Sequence, residues 1–177
     1  MSSLPELTRT STHLRAGAIP PPRERDVFTV MAADERLGLP VESVHTIFRI
    51  ARITPVPRGP AEVIGLANLR GKIVTVASLR RRLGLPDRDA HVASLAIGIE
   101  HLGESFALVV DEVGDVMTVS EGARIQAPPN LTSARLRVTS AVYRLDEGIL
   151  SVLDMAALLD FSRACERARP FGNLPDF

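Results

Sequence analysis

Apolar residues in this chain come in short runs broken by turn formers, and few segments repeat at helical spacing. Runs lie at Val27–Met31, Arg36–Pro40, Ile47–Ile53, Val63–Leu69, Lys72–Ala77, Val92–Ile99, Phe106–Val110, Val116–Val119, Arg137–Leu145 and Ile149–Leu153. Many are rich in valine, isoleucine and leucine, and glycine, proline, aspartate or asparagine separates most of them. β-Branched side chains suit a pleated, half-buried surface. Short strands at this density predict a sandwich or barrel.

Helical signals are few. Ser78 is placed to cap a helix over Leu79–Leu83, which Gly84 ends and Pro86 cannot continue. Asp154 is placed to cap a longer helix running to about Arg169, with Met155, Leu158, Leu159 and Ala168 on one side. One helical turn fits Pro40–Val44. Ahead of the strands, Ile19-Pro20-Pro21-Pro22 lacks three consecutive backbone donors and predicts a flexible, proline-rich arm over residues 1–25.

The two halves of the pattern repeat. Leu39-Pro40-Val41-Glu42-Ser43-Val44, ending at Ile47, falls on Leu108-Val109-Val110-Asp111-Glu112-Val113, ending at Val116, at a shift of 69 positions. Leu69 through Leu79 falls on Leu145 through Met155 at a shift of 76, and the caps Ser78 and Asp154 coincide. One copy alone would make a marginal core, so the pattern predicts a duplicated β architecture sharing one.

Composition narrows the function. The 177 residues carry 21 basic and 21 acidic side chains, a formal net charge of +0. All the basic residues but Lys72 are arginine, and they are scattered. Nucleic-acid binding rests on a positive footprint that this chain lacks. The single short run, Arg80-Arg81-Arg82, reads as a solvated helix face. Cys165 is alone, so no internal disulfide is possible, and no stretch has the length of a membrane span. The N-terminus lacks the basic start and apolar run of a signal peptide, which predicts a cytoplasmic protein without membrane insertion.

Catalytic constellations are absent from the pattern. His13, His45, His91 and His101 have no second ligand at metal-binding spacing. There is no nucleophile elbow, phosphate loop or Cys-His signature, so no catalytic residue, metal or cofactor is expected. Asp111, Glu112 and Asp115 read as strand-end solvation. The exception is Asn68-Leu69-Arg70-Gly71-Lys72, between two strands. Gly71 suits a tight turn, which would hold Asn68 and Arg70 at a rim, and the planar fork of arginine can grip a partner's carboxylate or carbonyl. An ordinary hairpin with a solvated arginine fits those residues equally well.

Arg52-Ile53-Thr54-Pro55-Val56-Pro57, followed by Val63-Ile64-Gly65-Leu66-Ala67-Asn68-Leu69-Arg70-Gly71-Lys72-Ile73-Val74-Thr75-Val76, resembles the chemotaxis coupling proteins, the CheW-like domains. Leu79-Arg80 and Leu108-Val109-Val110-Asp111-Glu112-Val113 extend the likeness over residues 26–163, leaving 164–177 as a helix end and tail. The resemblance implies two small Src-homology-3-like, five-stranded β-barrels on a shared hydrophobic core. It implies a non-catalytic adaptor linking the cytoplasmic tip of chemoreceptors to a sensor histidine kinase. Asn68, Leu69, Arg70 and Gly71 would then face the receptor, and Val41, Val44 and Ile47 the kinase. Many members carry glutamate at the position of Thr46 and aspartate at that of Ser78. Those departures leave open a variant that binds one partner only or serves a non-flagellar system. A small-molecule or enzymatic barrel would instead need a pocket of convergent polar groups.

Overall fold

The computed structural model describes residues 23–87 and 94–161. Among these described residues, eleven strands form two sheets: β1 (Glu24–Ala32), β2 (Glu35–Pro40), β3 (Val44–Arg49), β4 (Val63–Leu69), β5 (Lys72–Ser78), β6 (Leu95–His101), β7 (Glu104–Val109), β8 (Glu112–Ser120), β9 (Arg124–Ile125), β10 (Thr139–Leu145) and β11 (Gly148–Leu153). Three short helices accompany them: α1 (Leu79–Arg82), α2 (Ser133–Arg137) and α3 (Met155–Leu159). The mainly β expectation holds, and one helical turn does follow Pro40, over Val41–Ser43.

The five-stranded sheet has the order β3-β6-β7-β5-β4, and the six-stranded sheet β8-β1-β2-β11-β10-β9. The two copies of the repeat therefore interleave. Each sheet takes the first hairpin of one copy (β1–β2 or β6–β7) and the remaining strands of the other, β8–β11 in the six-stranded sheet and β3–β5 in the five-stranded one. The registers follow the repeat. Phe28 opposite Val116 and Val30 opposite Val113 in one sheet become Ile97 opposite Ile47 and Ile99 opposite Val44 in the other. The parallel pair Val76–Ala107 becomes Val152–Gly38. Even the register breaks coincide, between Val63 and Gly65 and between Thr139 and Ala141.

This interleaving divides the core into three. Val27, Val119, Ala141, Tyr143, Leu150 and Val152 fill the six-stranded sheet. Ile50, Ala67, Val74, Val76, Ala96 and Ala107 fill the five-stranded one, supplied by residues along its whole width, as in a sheet curled around its own interior. Between them lies the largest cluster, with Phe28, Leu39, Leu79, Leu83, Ile97, Leu108, Leu153 and Leu158 among its members. The shared core anticipated from the repeat is this central cluster, and the arrangement is compatible with paired barrels.

Several boundaries differ from the pattern. The strand expected over Ile47–Ile53 starts at Val44 and ends at Arg49, because Thr54 then exchanges two backbone hydrogen bonds of 2.8 Å with Leu66 and holds the segment on β4. The strand expected from Arg137 begins at Thr139, since Thr132 accepts from the Arg135 N–H and starts α2. β8 is longer than Val116–Val119 and bulges around Gly114 and Asp115, where Thr29 Oγ1 donates to the Asp115 carbonyl at 2.8 Å. The caps Ser78 and Asp154 are as expected, accepting from the Arg81 and Ala157 N–H groups. α3, however, stops at Leu159 instead of running to Arg169. The Arg82 guanidinium takes the Ala157 and Asp160 carbonyls, and Phe161 turns back to Phe106 with ring centroids 6.1 Å apart. Ala168, Cys165, His13, His91 and most of the proline-rich arm lie outside the described residues.

The arginine run is the clearest correction to the charge reading. Arg80, Arg81 and Arg82 are half-buried and paired with Asp111, Asp87 and Glu62. Arg80 Nε reaches both Asp111 carboxylate oxygens at 2.9 Å, and that carboxylate also accepts from the Ala33 N–H. Hydrogen bonding to Asp111 raises the Arg80 pKa above its ordinary value. The helix is short and lies against the central core, so its guanidinium groups donate hydrogen bonds to nearby carboxylates and carbonyls.

Candidate functional site

The β4–β5 turn is built by its own residues. Arg70 and Gly71 have φ of +55° and +86°, the doubly left-handed geometry of a two-residue hairpin whose twist matches its strands. Glycine adopts this without strain, whereas Arg70 is held there. The Asn68 side-chain oxygen accepts from the Gly71 N–H at 2.8 Å and closes the turn. Asn68 is therefore a brace, and Arg70 is the group the turn presents. Arg70 is exposed and has no ion pair among the described residues.

Beside the turn lies a groove of about 250 Å³. Leu69, Val74, Ile99 and Phe106 give it an apolar floor; Arg70, Lys72 and Glu100 bring charge to its rim. β3 closes it with His45 and Thr46, so the turn and the β3 segment meet at Thr46. A Cβ on Gly98 would come 2.6 Å from the Thr46 methyl, so only glycine lets β3 pack this closely over β6.

The kinase-facing expectation divides. Val41 and Val44 are half-buried against the central cluster, whereas Ile47 is 44% exposed on the edge strand. Sequence reasoning did not single out Lys72 or Glu100 as neighbours of Arg70, nor Val116, which is 56% exposed on edge strand β8. For Val116 a signal was available: it is the repeat partner of Ile47. Among the described residues, no group of three His, Cys, Asp or Glu side chains could hold a metal. No described helix is long and apolar enough to cross a membrane.

Two interleaved sheets with an apolar groove, an exposed arginine and a half-exposed edge isoleucine have the build of a protein-binding module. Residues 26–163 match the CheW-like domain family, and the chain belongs to it. It is 28% identical to chemotaxis protein CheW of Rhizobium meliloti (strain 1021) over 127 residues, 72% of this chain and 77% of that protein. It is likewise 28% identical to chemotaxis protein CheW of Bacillus subtilis (strain 168) over 130 residues, 73% and 83% of the two chains. Among solved structures, the scaffolding protein TtCheW of Thermoanaerobacter tengcongensis superposes with a TM-score of 0.68 at 28% identity, covering 78% of this chain and 94% of that one.

Proposed function

We propose that this protein is a non-catalytic cytoplasmic coupling scaffold of a chemosensory system, holding a histidine kinase at the cytoplasmic tip of chemoreceptors in membrane-associated arrays. Family membership supports the class, and one observation carries the assignment of the receptor contact. The Asn68 brace holds a two-residue turn that presents Arg70, without an ion pair among the described residues, beside an apolar groove. An arginine at such a rim can grip a carboxylate or carbonyl on a helical tip that covers the groove. The kinase contact falls to the β3 edge through Ile47, backed by Val41 and Val44.

Arg70→Ala should weaken capture of the receptor's cytoplasmic fragment by about thirtyfold, the effect of a hot-spot arginine worth about 2 kcal/mol. The thermal midpoint should stay unchanged, because no intramolecular ion pair is lost. Capture at the wild-type level would overturn the receptor assignment. Thr46, which stands in the groove where many family members carry glutamate, favours a second reading: a variant that engages one partner and displaces a full adaptor. Kinase activation in reconstituted receptor arrays separates the two, since only a full adaptor raises it.

A further inference from the structure

The face of the five-stranded sheet that enters the central cluster does not end where its cover ends. Strands β5 and β7 run parallel, with Thr75 beside Phe106 and Ala77 beside Leu108, and Phe106 in turn lies opposite Ile99 on β6. Ala77, Leu108, Ile99 and Phe106 are all buried in the central cluster. Side chains alternate along a strand, so two residues further out the same face presents Ile73 and Glu104. Past that row two turns stand side by side, Leu102-Gly103 between β6 and β7 and Arg70-Gly71 between β4 and β5. Cover falls away along this path: Phe106 is 6% exposed, Ile73 64% and Leu102 91%.

A lone exposed leucine is ordinary, but the backbone under this one is not. Leu102 and Gly103 have φ of +51° and +80°, close to the geometry of Arg70 and Gly71. The left-handed positions of such a two-residue hairpin favour asparagine, aspartate or glycine, and leucine is strained at the first. The repeat shows that the fold does not ask for leucine there. Position 102 falls on Ala33 at the same shift of 69, and Ala33 keeps the left-handed backbone with φ of +55°. The chain thus carries a side chain that strains its turn and is left almost wholly in water. Strain of this kind is kept at binding and active sites, where the strained side chain has work to do.

We propose that Leu102 is the apolar anchor for the helical receptor tip that Arg70 grips, with Ile73 beside it. Its partner is the one assigned to the Arg70 turn, so this role rests on that reading. Arg70 and Leu102 are then two prongs at one end of the sheet. The guanidinium takes a carboxylate or carbonyl, and the isobutyl group enters the apolar seam of the helices. The shelf of Ile73 and Leu102 continues the face that supplies Phe106 to the groove floor, so a helix laid in the groove meets both. A lipid surface fits less well. Arg70 and Lys72 share this end with Glu100 and Glu104, so no cluster of positive charge draws anionic headgroups.

Capture of the receptor's cytoplasmic fragment by the full chain, measured as a dissociation constant beside the thermal midpoint, tests this. Asparagine suits the left-handed turn and lacks the apolar prong. Leu102→Asn should therefore raise the midpoint or leave it unchanged, yet weaken capture at least about tenfold, as removal of a buried anchor does. Leu102→Met keeps an apolar side chain of similar volume and should bind within about threefold of wild type. A structural role would move the two readouts together; here they should part. Wild-type capture by L102N while R70A loses it would overturn the leucine's role and leave the receptor assignment standing. If both variants bind as the wild type does, both assignments fall. A lowered midpoint for L102N would show Leu102 serving this chain's own fold, as it would if residues 162–177 covered it, and would overturn the proposal. Binding of the wild type to phosphatidylserine vesicles that L102N abolishes would give the leucine to a lipid surface and overturn it too.

Discussion

Gly65 shows how much one missing Cβ can do. A Cβ there would run into the Thr54 carbonyl and come 2.8 Å from the Ile53 side chain. The Thr54–Leu66 bridge that holds the Ile53-Thr54-Pro55 segment on β4 depends on that closeness. Gly65→Ala should therefore lower stability by about 2–3 kcal/mol in urea unfolding, as overpacking against backbone does. A loss near zero would mean that the segment can lift away freely. The repeat partner is Ala141, which shows that the position itself accepts a Cβ where no strap crosses it. Tyr143 makes a second residue-scale case. Its side chain is 1% exposed, and its hydroxyl donates to Glu121 at 3.2 Å. Burial pushes the hydroxyl above the ordinary tyrosine value of 10.0, and the Glu121 charge adds to the shift. Because the folded value is the higher one, the contribution is intact below pH 10.0 and is lost as pH rises through it. Tyr143→Phe should cost about 1 kcal/mol at neutral pH and lose less than the wild type above pH 10, read from urea midpoints at several pH values.

Among elements, the short helices depend on their caps more than on their length. α1 and α3 span 4 and 5 residues, too few to persist without tertiary contacts. Ser78 and Asp154 each satisfy an amide at the start of a helix that lays Leu79 or Met155 into the central cluster. Ser78→Ala and Asp154→Ala should each lower stability by about 1 kcal/mol, and the double variant by their sum, because the two caps share no partner. Differential scanning calorimetry would show it, and coupling between them would contradict independent caps. Both caps were legible because a hydroxyl or carboxylate before an apolar run acts locally. α2 escaped notice because Thr132-Ser133-Ala134 sits beside Val138 and a β-rich stretch, so the local cap competed with a strand pattern. The arginine run was misread for a related reason. Asp111 lies 31 positions beyond Arg80, and spacing along the chain does not announce such a partner.

The whole molecule behaves as two sheets that neither copy of the repeat can build alone. Each sheet needs a hairpin from the other copy, and the central cluster draws on both, so the two should unfold together. The chain has one tyrosine and no tryptophan, so Tyr143 fluorescence reports on the six-stranded sheet alone. Ile50→Ala empties part of the five-stranded sheet's interior and should cost about 2–4 kcal/mol. Its full effect should appear in the Tyr143 transition. A Tyr143 midpoint that ignores Ile50→Ala would mean that the sheets unfold separately.

Short valine- and isoleucine-rich runs, the caps, the repeat and the Asn68–Gly71 turn were determined along the chain, because periodicity, capping and turn closure act over a few neighbours. They sufficed for a duplicated, mainly β molecule with an arginine at one turn, and the motif around that turn resembled the family to which the chain belongs. Tertiary structure alone decided which hairpin joins which sheet, because strand pairing between distant segments leaves no local trace. It set Thr46 beside Arg70, turned Val41 and Val44 toward the core, and drew the arginine run onto its carboxylates.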